Sequence, residues 1–96
     1  MALSDPTRQR IVEMLARGAQ SSGDIARQFD MSAAAVSQHL RTLREAGLVR
    51  VHAEAQRRIY ELDPAGLDAL AQWVARIRGF WSIKLDALEA QLKQEN

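Results

Sequence analysis

Apolar residues recur in this chain at two spacings, helical at both ends and alternating in between. From Asp5 to Gly18 the positions Ile11, Val12, Met14 and Leu15 share a helical face, with Leu3 just ahead of them. Asp5 offers a cap, Pro6 a first helical position where a missing amide costs nothing, and Gly18 a stop. Ser21-Ser22-Gly23-Asp24 is a Ser-x-x-Asp variant of the capping box and opens a short helix through Ile25, Ala26 and Phe29. Ser32 caps a longer helix over 32–46, which Gly47 ends by taking the left-handed conformation. At about 100° per residue, Val36, Leu40 and Leu43 lie on one side of it. The opposite side carries Ala34, Gln38, Arg41 and Glu45, with Ser37 and Thr42 at the edges.

A turn of about three residues near Asp30-Met31 is expected between these two helices, the length of a helix-turn-helix. The spacing then changes to alternation. Val49/Val51 and Ile59/Tyr60/Leu62 flank a polar tip, Ala53-Glu54-Ala55-Gln56-Arg57, as in a β-hairpin. The tip has neither Asn-Gly nor Asp-Gly, so a longer mobile loop is expected there. Helix, turn, helix and hairpin in this order make a winged helix, with the helix-turn-helix at about 21–47 and the wing at about 48–62.

Asp63-Pro64 opens a C-terminal segment over about 64–94 in which Leu67, Leu70, Val74, Ile77, Trp81, Leu85, Leu88 and Leu92 form a near-heptad stripe. The step from Trp81 to Leu85 is irregular and Gly79 sits beside it, which predicts a kink or a break into two helices. With Trp73 and Phe80 the tail has more apolar surface than a winged helix needs for its own core, so a partner helix is expected, most simply from a second copy. Packing explains Trp73, Phe80 and Trp81 better than a ligand pocket does. The expected fold class is mainly α with a small β-hairpin: one winged helix-turn-helix domain over 1–96 with C-terminal dimerisation helices.

Composition narrows the function. Ninety-six residues suit one small domain, and 47% apolar residues suit a globular one. With no run of 18 apolar residues and no signal-peptide pattern, a cytoplasmic protein without membrane contact is expected. Zero cysteines exclude disulfides, thiolate metal sites and cysteine redox sensing. The net charge of +1 says little, but its distribution says more. Between Ser37 and Arg58 five arginines (Arg41, Arg44, Arg50, Arg57, Arg58) stand against Glu45 and Glu54, whereas residues 63–96 hold four bases and five acids. The positive field is thus concentrated on the 32–46 helix and the wing, where phosphates would lie. His39, at the flank of the apolar stripe, reads as a half-buried structural residue, and His52 as an exposed bystander.

Catalysis has no support: there is no glycine-rich phosphate loop, no carboxylate pair and no nucleophile–base set. Ser37 and His39, two apart on a helix, do not face each other. Two classes remain, a DNA-binding regulator and a winged helix serving as a protein-interaction module. The modest net charge and the polar-poor Ala33-Ala34-Ala35 motivate the second.

Several motifs together resemble the ArsR-type winged-helix repressors over essentially the whole chain. They are Leu3-Ser4-Asp5-Pro6-Thr7-Arg8-x-x-Ile11, Asp24-Ile25-Ala26, Val36-Ser37-Gln38-His39-Leu40-x-x-Leu43-x-x-Ala46-Gly47-Leu48-Val49, and Arg57-Arg58-x-Tyr60-x-Leu62. The resemblance implies a homodimeric repressor on an inverted-repeat operator of double-stranded DNA, with first and last helices paired across the two-fold axis. It places DNA contacts at Ala33, Ala34, Ser37 and Gln38, and Ser32 at the start of the helix is counted with them. The helical wheel independently selects Ala34, Gln38 and Arg41, and the wing adds Gln56, Arg57 and Arg58. The expected dimer seam is Leu3, Ile11, Trp73, Ile77, Trp81, Leu85, Leu88 and Leu92. Metal-sensing relatives use cysteine clusters or His/Asp/Glu sets on the last helix. This chain has no cysteine, and no histidine beyond His52, so no metal site and no cofactor are expected. A small-molecule effector, a protein effector and none at all stay open.

Overall fold

The computed structural model describes residues 1–94. After a single 3-10 turn at Ala2–Ser4 come α1 (Pro6–Ala16), β1 (Gln20–Ser21), α2 (Ser22–Ala26), α3 (Ala33–Glu45), β2 (Val49–Glu54), β3 (Arg57–Leu62) and α4 (Pro64–Gln94). The strands form one antiparallel sheet in the order β1-β3-β2. β1 has no alternating pattern to announce it; it is a two-residue strand that pairs Gln20 with Tyr60 and Ser21 with Ile59.

Local chemistry sets the helix ends. The Asp5 carboxylate accepts from the amides of Thr7 and Arg8, Ser21 Oγ from Asp24, and Ser32 Oγ from Ala35, each satisfying an orphan donor of a first turn. α3 ends in a Schellman arrangement: the Leu48 amide bonds the Leu43 carbonyl, the Gly47 amide bonds that of Arg44, and Gly47 has φ 78°. Leu43 and Leu48 then meet in the core, which also holds Ile11, Leu15, Ile25, Val36, Leu40, Val49 and Tyr60. The α3 stripe therefore lies against α1, α2 and one face of the hairpin.

The structure corrects four local expectations. α2 stops at Ala26 and residues 27–32 form the connection, longer than the expected turn; Phe29 lies in it, its amide bonded to the Ala26 carbonyl. The wing tip is a tight two-residue turn, because the β2–β3 ladder runs from Val49↔Leu62 out to Glu54↔Arg57. Only Ala55 and Gln56 lie between the strands, and Ala55 takes φ 56°, a conformation usually given to glycine at the first centre of a type II′ turn. Alanine there costs about 1–2 kcal/mol, which the ladder offsets and which hides the turn from sequence rules. α4 is one unbroken helix through Gly79, so the alternative of a break into two helices falls. Glycine lowers helix propensity by about 1 kcal/mol but keeps its amide, so the hydrogen-bond ladder has no reason to break. Finally, Ile11, expected at a dimer seam, is 0% exposed within the single chain. Core and seam stripes look alike in sequence, and the chain's own core claims this one.

Leu67 and Leu70, in the first turns of α4, pack on the core. Every described residue from Ala71 onward is exposed, so the helix runs off the body and stretches the molecule to 67 Å against 28 and 21 Å in the other directions. The first turn of α4 is held close: the Asp63 amide bonds the Leu48 carbonyl, and Gly66 lies against Gly47.

Candidate nucleic-acid interface

Burial of Val36, Leu40 and Leu43 turns the other side of α3 outward. Ser32, Ala33, Ala34, Ser37, Gln38 and Arg41 are all exposed on it. Ser32, His39 and Thr42 make side-chain hydrogen bonds within the chain; among the described residues Ser37 and Gln38 make none, so their donors and acceptors face solvent. Arg41 lies 3.7 Å from Glu45 in a pair more than half exposed on both sides, which is worth little and yields easily to another anion.

Between α3 and β3 lies a concavity of about 330 Å³, lined by Ala34, Ser37, Gln38, Arg41, Arg44, Arg58 and Tyr60. Tyr60 reaches it from the core, where it is 7% exposed. Three guanidinium groups thus border one hollow, and among the described residues neither Arg44 nor Arg58 has a carboxylate partner. Arg44, which the sequence places only within the general positive field of the helix and wing, comes to border this hollow. The strand beside α3 gives that flank an open basic wall.

The chain is similar to known transcriptional regulators. A family model described as a helix-turn-helix domain matches residues 3–52. The HTH-type transcriptional regulator Rv2034 of Mycobacterium tuberculosis (strain ATCC 25618 / H37Rv) is 47% identical over 81 residues, which cover 84% of this chain and 73% of that protein. Among solved structures, an ArsR-like transcriptional regulator from Rhodococcus sp. RHA1 superposes with TM-score 0.74 at 33% identity, covering 91% of this chain and 82% of that one. This chain belongs to the ArsR family of winged helix-turn-helix transcriptional regulators. Another ArsR-type neighbour is the DNA-binding domain of Mb0332 from Mycobacterium bovis, solved in solution as a homodimeric winged helix-turn-helix. It matches at TM-score 0.65 and 33% identity, covering 78% of this chain and 72% of that chain. Such regulators are not enzymes.

In this ArsR-type chain the wing does not stand free. Arg57, at the start of β3, donates through Nη2 to Asp24 Oδ2 of α2 at 3.0 Å. Asp24 also pairs with Arg27 one turn on. The Arg27 guanidinium, then the Ser21 hydroxyl, and more weakly the charge of Arg57, hold the Asp24 carboxyl below its ordinary value. Gln56, Arg57 and Arg58 all border a second hollow, of about 360 Å³, over the start of α2. On the outer face of the hairpin Arg50 pairs with Glu61 at 2.9 Å, and His52 lies 4.0 Å from the same carboxylate. The Asp24–Arg57 contact spans 33 positions and has no signature in the sequence.

The expected seam residues fall into three groups. Trp73, Ile77, Trp81, Leu85, Leu88 and Leu92 are exposed along α4, with Phe80 at 66% and Trp81 at 60%. Leu3 is half-buried and borders an apolar groove of about 320 Å³ shared with Met1, Leu48, Gly66 and Leu70. Ile11 lies inside the core, as described above. Among the described residues no three of His, Cys, Asp or Glu come close enough to hold a metal ion, and no helix is long and apolar enough to cross a membrane.

Proposed function

We propose that this regulator is a homodimeric repressor that reads an inverted-repeat operator with α3 in the major groove. The observation that carries the reading is the solvent-facing, internally unbonded Ser37 and Gln38 beside the three guanidinium groups of the hollow between α3 and β3. Gln38 is the residue for adenine, whose N6 and N7 its amide matches in two bonds, and Arg41 is the residue for guanine or a phosphate. Ser32, Ala33 and Ala34 bring the start of α3 close to base edges and thymine methyl groups. Gln56, Arg57 and Arg58 serve the flanking phosphates, as does Arg44.

The exposed α4 stripe (Trp73, Ile77, Trp81, Leu85, Leu88, Leu92) is the seam with a second copy, supported by the apolar surface a lone chain leaves in water. The two-fold axis then sets the half-sites one turn apart, roughly 34–36 Å, or a multiple of it. Occupying the operator blocks polymerase by bulk alone, so repression needs no further contact. The effector is not a thiophilic metal.

Fluorescence anisotropy across a salt series tests the reading, with DNA from upstream of the chain's own coding sequence against a scrambled duplex. Tighter binding to the upstream DNA, with a steep salt slope from displaced phosphate counterions, is the expected result. Equal, weak binding to both overturns it in favour of a protein partner.

A further inference from the structure

α3 is gripped on three sides in three different ways. Its apolar stripe sits in the core, and one flank borders the basic hollow with β3. The other flank carries His39, half-buried, whose Nδ1 lies 3.1 Å from Nη1 of Arg8 on α1. A guanidinium has donors only, so the imidazole nitrogen accepts, and the ring's proton rests on Nε2. Arg8 has no slack. Its Nε donates to the Ala2 carbonyl at 2.6 Å, its Nη1 stands 4.0 Å from the Asp5 carboxylate, and its side chain is only 18% exposed. The Asp5 carboxylate in turn accepts from the Arg8 amide. The acceptor on α3 therefore meets a planar fork already fixed by the 3-10 turn and by the cap of α1. It is the only side-chain hydrogen bond joining α1 to α3 among the described residues.

Packing of an aliphatic stripe is non-directional: it fixes which side of α3 faces the core but leaves small rolls about the helix axis cheap. A directional bond on one flank constrains the roll. His39 adjoins Gln38 in sequence, so any roll that lengthens the Arg8 bond swings the Gln38 amide and the Arg41 guanidinium by the same angle. We propose that Arg8 is a positioning residue for DNA recognition. Through His39 it sets the roll of α3, and hence where Gln38 and Arg41 point, without touching DNA itself. This rests on the reading of α3 as the recognition helix.

The test uses the full chain and duplexes that the wild type enriches from a randomised pool, each compared with a shuffled duplex. Arg8→Met and His39→Leu each lower the ratio of selected to shuffled affinity by about tenfold, the loss expected for a charged hydrogen bond. The double variant does no worse than either single one, because both remove the same contact. The salt slope stays at its wild-type value, since no phosphate contact has changed. His39→Asn, which keeps an acceptor close to the Nδ1 position, retains the wild-type ratio. A purely structural role would lower the melting temperature and weaken both duplexes alike. Folded single variants with the wild-type ratio, additive losses, or a His39→Asn as poor as His39→Leu each overturn the proposal. If Arg8→Met does not fold, the two His39 variants make the same comparison. A wild type that enriches no sequence overturns the DNA-reading assignment itself.

Discussion

Gly66, in the first turn of α4, lies on the backbone of Gly47, so close that a Cβ at 66 would stand 1.7 Å from the Gly47 oxygen and 2.7 Å from its carbonyl carbon. Gly47 also ends α3. The exit of the long helix is thereby registered directly on the end of the recognition helix, backbone against backbone. Gly66→Ala must push the two apart, and overpacking of this kind costs about 1–3 kcal/mol. Thermal unfolding by circular dichroism should show a melting temperature lower by roughly 4–8 °C for each kcal/mol. An unchanged midpoint would contradict the close contact.

Gly79 is the internal control. A Cβ there meets nothing within 4 Å, and the residue sits in the middle of a continuous helix. Gly79→Ala is expected to stabilise by about 0.5–1 kcal/mol, read in the same melting experiment. Destabilisation would mean that the helix bends at 79.

The Asp24–Arg57 contact bears on binding to DNA of any sequence. Asp24 occupies the wing arginine as a phosphate would, so part of the wing's charge is neutralised within the chain. Asp24→Asn should tighten binding to a shuffled duplex at low salt and steepen the salt slope by about one counterion. No change in slope would show that Arg57 stays away from phosphate.

Acid should weaken the fold through the same kind of group. The amides of Arg8 and Thr7 lower the Asp5 carboxyl, and Arg27, Ser21 and Arg57 lower that of Asp24, relative to the ordinary value of 3.8. A carboxyl depressed in the folded state adds stability that is fully present above its unfolded value and is lost as the pH falls through the folded one. The melting temperature of the wild type should therefore drop between about pH 5 and pH 3, and drop less in Asp5→Asn with Asp24→Asn. Parallel curves for the two proteins would remove these carboxylates as the cause.

Leu85→Asp or Leu88→Asp places a charge where the α4 seam is proposed, and burying an unpaired charge is strongly unfavourable. Sedimentation at micromolar concentration is expected to find monomers. A variant that stays dimeric would move the interface off the distal helix.

Much of this arrangement is legible in the chain because short-range chemistry carries it. Ser21, Ser32 and Asp5 cap where their side chains reach the next amides, and Gly47 turns where only a left-handed residue closes the Schellman bonds. The period of Val36, Leu40 and Leu43 fixes which side of α3 faces out, and hence that Gln38 and Arg41 do. Other features depend on partners far away in sequence. The Arg8–His39 and Asp24–Arg57 contacts, the added strand at Gln20–Ser21, and Arg44 at the hollow all arise when the chain folds back on itself. The tight wing turn escapes notice because Ala55 adopts a glycine-like conformation that tertiary pairing enforces. Ile11 misleads for another reason: an apolar residue is equally apolar whether it faces its own chain or another.

The stripe on α4 begins as core at Leu67 and Leu70 and continues, without a change of helix, as open surface from Val74 on. If that surface closes only on a second copy, the regulator measures its own abundance. At concentrations below its dimer dissociation constant, operator occupancy would rise with the square of the amount of protein made. A gene controlled this way responds to dilution, as at cell growth and division, more sharply than to a proportional change in binding strength.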